Sequence, residues 1–291
     1  MLCRDDLLVC SGTPQEHILV LNIYEGNGNI FGIVDERSHT PIEESEKRDL
    51  GKSICSKPFL GNLKVDGLIF LSHSLAADIR MRIFESDGSE SDMCGNGLRC
   101  ISKLLEPEFG REINIETNSG IFHTSVNKDS ISVIFQGIQN PLRYISKKAV
   151  PSCIVFEYKN KVIYLLNSGE PHAVIMAEDV NSVDLNELLD LARDINKFPD
   201  GINLNVMQII DDKTIKIRTL ERGLWKTTAC CGTGSVACAT LSRLLGLCKS
   251  KNIKVINDGG SLKIIFFRDK ILMRGPASHI ATVNYTGEAD G

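Results

Sequence analysis

The sequence predicts an α+β protein of two pseudo-symmetric lobes. Three observations carry this expectation. Short β-branched and aromatic runs bounded by turn residues recur along the chain. Helical periodicity is rare by comparison. A cysteine-glycine turn occurs twice, each time leading into a helix and then two strands, as a duplicated domain would.

The elements follow in chain order. HILVLNIY, GLIFLS and IRMRIF read as strands, and ESDGSESDMCGNGLRC then supplies a turn that opens a helix ending in Ser-Lys-Leu-Leu. EINIET, the run after Gly120 and SISVIF complete a first set. The second set begins with KVIYLLN and HAVIMA. Leu185, Leu188, Leu189 and Leu191 then mark the apolar face of a helix over Val183 to Lys197. INLNVMQII and TIKIRTL precede the second turn, CCGTGSVACATLSRLL, and NIKVIN, SLKIIFF and KILMRG close the set. The copies are offset by 137 residues at Cys94 and Cys231 and by 140 at Gly120 and Gly260. This assigns residues 1–136 to a first lobe carrying Cys94, completed by a C-terminal strand at about 276–291, and residues 137–275 to a second carrying Cys231, with the active site between them.

Composition narrows the function. The 291 residues suit two ordinary domains, and 42% hydrophobic with 24% charged residues is a globular balance. A net charge of -4 without any Lys/Arg-rich run leaves no footprint for nucleic acid or an anionic membrane, so small polar molecules are the expected partners. MLCRDDLLVCSG is no signal-peptide core, and no segment approaches the roughly 18 apolar residues of a membrane span. Cytoplasmic residence is the expectation. Ten cysteines without paired CxxC knuckles suggest neither a disulfide scaffold nor zinc; Cys3, Cys10, Cys55, Cys153 and Cys248 are expected to pack.

The two Cys-Gly-x-Gly turns carry chemistry. Glycines let the backbone approach a ligand, and a starting helix offers unpaired N–H groups and a positive dipole end. A carboxylate fits such a site, and the same field should make each thiol more acidic than a free cysteine. Facing each other, the turns would set one sulfur on each side of an amino acid's α-carbon. One thiolate then removes the α-proton and the other thiol returns a proton to the opposite face, without pyridoxal phosphate or any other cofactor. The two sulfurs titrate as a coupled pair. A lone turn of this kind is more often packing than catalysis; two copies in register reverse that weighting. Neither completes GxGxxG, and no GxxxxGK[ST] occurs.

GNGNIF, VDG, DGSESDMCGNGLRC, SGEPHAV, INLNVMQ, RTLERG, ACCGTGSVACA and GGSLKI through RGPA, in this order from about His17 to Ala281, resemble the diaminopimelate epimerases. These are racemases and epimerases that work without pyridoxal phosphate. The resemblance implies two α/β lobes, each a mixed sheet wrapped around a central helix, with a site between them and often a homodimer. It makes Cys94 and Cys231 the acid/base pair and assigns Gly95, Asn96, Gly232 and Thr233 to the α-carboxylate. His172 and Glu221 match residues that support the cysteines or the α-amino group; Asn29, Asn203 and Arg222 match residues lining the pocket for the substrate's far end. Cys230, Cys100 and Cys238 are expected in the core.

The chain departs from the pattern at Glu85 and Glu170, where the family usually has asparagine in the distal pocket, at Ile30, and in LWKTTAC with Trp225. Two like charges about 5 Å apart at an effective dielectric near 20 repel by about 3 kcal/mol, so these glutamates would oppose a distal carboxylate unless paired or protonated. Diaminopimelate is the family default. A racemase for a cationic side chain (lysine, ornithine, arginine or histidine) is the alternative, with Glu85 and Glu170 substrate-binding. A cysteine hydrolase using Cys94 with His172 is a reading of another class, and a silent binding protein of the same fold is a third.

Overall fold

The computed structural model describes residues 18–286 apart from 39, 57, 60, 129, 136–152, 195 and 200. Cys3, Cys10 and the predicted start of the first strand at His17 lie outside the described residues, as does most of the segment between the two predicted lobes.

Among the described residues, sixteen principal strands form one continuous sheet in two matching halves. The first half contains β1 (Leu19–Gly26), β2 (Asn29–Asp35), β3 (Gly67–Ser72), β4 (Ile79–Glu85), β5 (Glu112–Thr117), β6 (Gly120–Asn127) and β7 (Ser130–Phe135). The second contains β8 (Ile154–Tyr158), β9 (Lys161–Asn167), β10 (Pro171–Met176), β11 (Asn203–Asp211), β12 (Thr214–Glu221), β13 (Asn252–Asn257), β14 (Gly260–Phe267) and β15 (Lys270–Gly275). The last strand, β16 (Ser278–Tyr285), pairs back onto β1 from Leu19↔Tyr285.

The same pairing pattern is used twice. From β1 to β7 neighbours are antiparallel except β2–β3 and β4–β5. From β9 to β15 they are antiparallel except β10–β11 and β12–β13. The halves join where β7 meets β15, from Ile131↔Gly275 to Phe135↔Ile271. This correspondence makes His172 the counterpart of Phe31, because His172↔Asn203 and Phe31↔Gly67 open the two equivalent parallel pairings.

Helix α1 (Glu44–Ser56) lies on the outside of the first half; α2 (Gly95–Phe109) and α3 (Gly232–Leu244) are each enclosed by their own half and touch one another at their starts. Along α3 every residue from Gly232 to Ser242 is buried, which explains a sequence of Gly, Ala, Ser, Val and Cys: small side chains let strands close around the helix. The α+β expectation and its duplicated arrangement describe this architecture.

One local expectation is corrected. The helix over Val183 to Lys197 is a 3-10 turn at Leu185–Leu188 and one α-turn at Leu189–Ala192. Asp184 caps the start through Asn186 N–H, and the Ile202 N–H bond to the Ala192 carbonyl draws the chain back to the sheet, burying Phe198. Helix α1 carries no clear apolar stripe in sequence, since only Lys47, Gly51, Ile54 and Cys55 face inward. Among the described residues no helix is long and apolar enough to cross a membrane.

Candidate active site

Both thiols sit at the same place in the fold, as the N-cap residues of the two enclosed helices. Cys94 Sγ accepts from Gly97 N–H at 3.4 Å, and Cys231 Sγ accepts from Gly234 N–H at 3.3 Å. Each extended cap residue leaves the N–H groups of the following two residues, Gly95 and Asn96 or Gly232 and Thr233, in the first helical turn, where no intrahelical acceptor exists.

The two turns abut through their glycines. A Cβ on Gly95 would lie 3.8 Å from Gly232 Cα, and Met273 of β15 fills the space behind both, 2.7 Å from that position through Cε and 3.0 Å from the equivalent one on Gly232 through Sδ. Asn96 crosses the junction, donating from Nδ2 to Asn29 Oδ1 at 2.7 Å and to the Cys230 carbonyl at 3.0 Å. Cys230 itself is buried and packs, as do Cys100 and Cys238.

A carboxylate accompanies each thiol. Glu85 and Glu221 lie two residues beyond Ile83 and Thr219, which pair with Ile69 and Asn205 in the two halves, so they occupy equivalent positions. Ser91 Oγ donates to Glu85 Oε1 at 2.8 Å and Thr228 Oγ1 donates to Glu221 Oε1 at 2.6 Å, a second correspondence. Burial pushes Glu85 up to about 7, helped by Glu221. Burial also raises Glu221, against the pull of its bonds to Thr228 and Cys231. Asn29, Asp66, Glu85, Cys94, Glu221 and Lys226 share the walls of a cavity of about 190 Å³.

The thiols are not more acidic than free cysteine, as the helix starts alone would make them. Burial pushes Cys94 up; the Gly97 N–H pulls it back in part, and the Glu85 and Glu221 charges add to the rise. Burial and Glu221 likewise hold Cys231 well above an ordinary thiol. A cationic group brought between those carboxylates would remove the opposing charge.

His172 lies on the Cys231 side. Its Nε2 is 3.0 Å from Thr233 Oγ1 and its Nδ1 is 3.0 Å from Asn205 Nδ2, so both ring nitrogens are engaged and neither bonds Cys94. The geometry therefore corrects the Cys94–His172 pairing of a hydrolase. Burial, with the Arg222 charge, lowers His172 to about 3, and the ring is neutral.

Glu170 pairs with Arg222, which also lies 3.7 Å from Asp92. Burial holds Glu170 up at about 7 despite that cation. Asn203 is spent on backbone, donating to the Pro171 carbonyl at 3.1 Å and accepting from Arg222 N–H at 3.0 Å, so it positions the Arg222 turn. Trp225, in a left-handed turn conformation, packs its indole on Gly201 and under Arg193, outside the cavity.

The sequence reading left out Asn205, Thr219, Thr228, Asp66 and Met273. A signal for Asn205 was present: Asn203 and Asn205 alternate on one inward face of a strand, where buried amides need partners.

A family model described as diaminopimelate epimerase matches residues 21–137 and again 164–280, once in each half of the sheet. The diaminopimelate epimerase of Methanocella arvoryzae is 36% identical over 278 residues, spanning 91% of this chain and 94% of that one. That of Archaeoglobus fulgidus is 35% identical over 267 residues, covering 88% and 92%. In fold, the chain is similar to a probable proline racemase from Agrobacterium radiobacter, with a TM-score of 0.64 at 13% identity and 94% of each chain covered. The doubled match, the relatives' identity over nine-tenths of their length and the duplicated sheet agree: this chain belongs to the diaminopimelate epimerase family and is an isomerase of the racemase and epimerase type.

Proposed function

We propose that the protein inverts the α-carbon of an amino acid by proton transfer between Cys94 and Cys231, with diaminopimelate as substrate. The observation that carries this reading is the pairing of two helix-capping thiols on abutting turns, each with its own hydroxyl-bonded glutamate.

A substrate α-carboxylate fits the first-turn N–H groups of both helices, which hold the negative charge that spreads from the α-carbon as its proton leaves. Its α-ammonium fits between Glu85 and Glu221. That placement offsets the glutamate charges that add to the effect of burial on the thiols, so binding shifts the pair toward a thiolate. The thiolate takes the α-proton, the opposite thiol gives its proton to the other face, and the thiolate and thiol have exchanged places.

The partners of the two unusual glutamates weigh against a cationic tail. Glu170 is neutralised by Arg222, and Glu85 mirrors Glu221 beside Cys94. Incubating the protein in deuterated water with LL-diaminopimelate, lysine, ornithine, arginine and histidine tests this by NMR of the α-proton. Exchange on diaminopimelate supports the substrate; exchange on the basic amino acids alone contradicts it.

A further inference from the structure

We infer that Asn205 and Thr219 fix the tautomer of His172 so that the Thr233 hydroxyl donates to Cys231 and not away from it, giving the Cys231 thiolate a hydroxyl donor that Cys94 does not have. Neither residue lies in the cavity, and both are positioning residues. The inference rests on the reading of Cys231 as one of the two acid/base groups.

The chain of bonds has a direction. Thr219 Oγ1 donates to Asn205 Oδ1 at 2.8 Å, and Asn205 Nδ2 faces the Ala173 carbonyl at 3.2 Å. A carbonyl only accepts, so the amide end toward Ala173, and toward His172 Nδ1 at 3.0 Å, is the NH₂. His172 Nδ1 is then an acceptor, and in a neutral ring the proton resides on Nε2. Nε2–H donates to Thr233 Oγ1 at 3.0 Å, which leaves the Thr233 proton free for Cys231 Sγ at 3.4 Å. Asn205, His172, Thr219 and Thr233 are all buried, so water does not compete for these bonds.

The other half of the fold is an internal control. By register, Asn205↔Thr219 corresponds to Ile69↔Ile83, and His172 corresponds to Phe31. At Gly97, in the first turn of α2, an added Cβ would meet Ile69 and Met81; at the equivalent Gly234 it would meet Asn205 Oδ1 and Thr219 Oγ1. The same architecture thus closes around the Cys94 turn with the apolar side chains of Phe31, Ile69 and Met81. Asn96, which matches Thr233, turns its amide to Asn29 and Cys230 instead of Cys94. Packing alone does not demand a polar chain at these positions. The difference falls on the bonding of one sulfur.

The test uses the full chain with ¹⁵N-labelled histidine, the His172 ring being assigned by its absence in His172→Phe. Wild type should show a protonated Nε2 and an unprotonated Nδ1. Asn205→Asp presents an acceptor to Nδ1 and should move the proton there, so that Nε2 accepts from Thr233 and the hydroxyl is lost to Cys231. Iodoacetamide alkylation across pH, followed by peptide mass spectrometry, should then slow at Cys231 by about tenfold near neutrality, a shift of about one pKa unit, while Cys94 changes less than twofold. Asn205→Ile with Thr219→Ile copies the first half; it should fold and show the same selective slowing. A ring still protonated at Nε2 in Asn205→Asp, or an unchanged ratio of Cys231 to Cys94 alkylation in both variants, overturns the inference. Neither readout needs turnover, so inactivity toward every amino acid would sink the proposed function while leaving this result standing.

Discussion

The Asn96 side chain reaches out of the first helix start to the Cys230 carbonyl at 3.0 Å, bonding one cysteine turn to the residue that precedes the other thiol. Asn96→Ala removes this bond and the one to Asn29, and leaves both acceptors unsatisfied. It should cost about 1–3 kcal/mol in denaturant unfolding. An unchanged midpoint would mean that the two turns are held together by other contacts.

Met273 supports both turns from behind. It is fully buried, and Met273→Ala leaves a cavity at the junction of the two helix starts. The expected loss is about 2–4 kcal/mol, measured by thermal or denaturant unfolding, with slowed α-proton exchange because the spacing of the turns relaxes. Stability lost without any change in exchange would separate this packing from the chemistry.

Glu85 makes stability depend on pH. Burial raises its folded-state value from 4.5 to about 7, so the native state binds more protons than the unfolded chain between those values. Its contribution is fully present below about pH 4.5 and is lost as pH rises through about 7. Glu85→Gln should therefore be more stable than wild type at pH 8, by about 3 kcal/mol and with a higher melting temperature, and nearly equal to it at pH 4.5. Thermal melts at the two pH values decide; an equal difference at both would contradict the assignment.

Arg222 and Glu170 form a coupled pair. Removing the cation in Arg222→Gln leaves a buried carboxylate at pH 8 and should cost about 3–5 kcal/mol, less at pH 5.5 where Glu170 takes a proton. Adding Glu170→Gln should recover much of the loss. A double-mutant cycle by chemical denaturation measures the coupling, and additive effects would show that the pair is not linked.

The duplication was legible because it is written in local signals: a turn that needs glycine, a helix that starts on it, and strands with period-two burial. So were the equivalent positions of Cys94 and Cys231 at the two helix starts. The Val183 to Lys197 helix failed because its leucines serve a core beneath two short turns, and sequence period does not reveal where the chain must return to a sheet. The thiol acidity failed for a different reason. Helix starts are visible in sequence, whereas the burial that raises both thiols, and the Glu221 charge that adds to it, arise only through folding. Asn205 and Thr219 are 14 residues apart and become one unit through strand register.

Single-turnover epimerisation of LL-diaminopimelate in deuterated water tests most directly whether two sulfurs act on opposite faces of one α-carbon. The first product should carry deuterium at the inverted carbon while remaining substrate carries none, and Cys94→Ala and Cys231→Ala should each abolish inversion. Inversion that persists in either single-cysteine variant would contradict the two-sulfur mechanism.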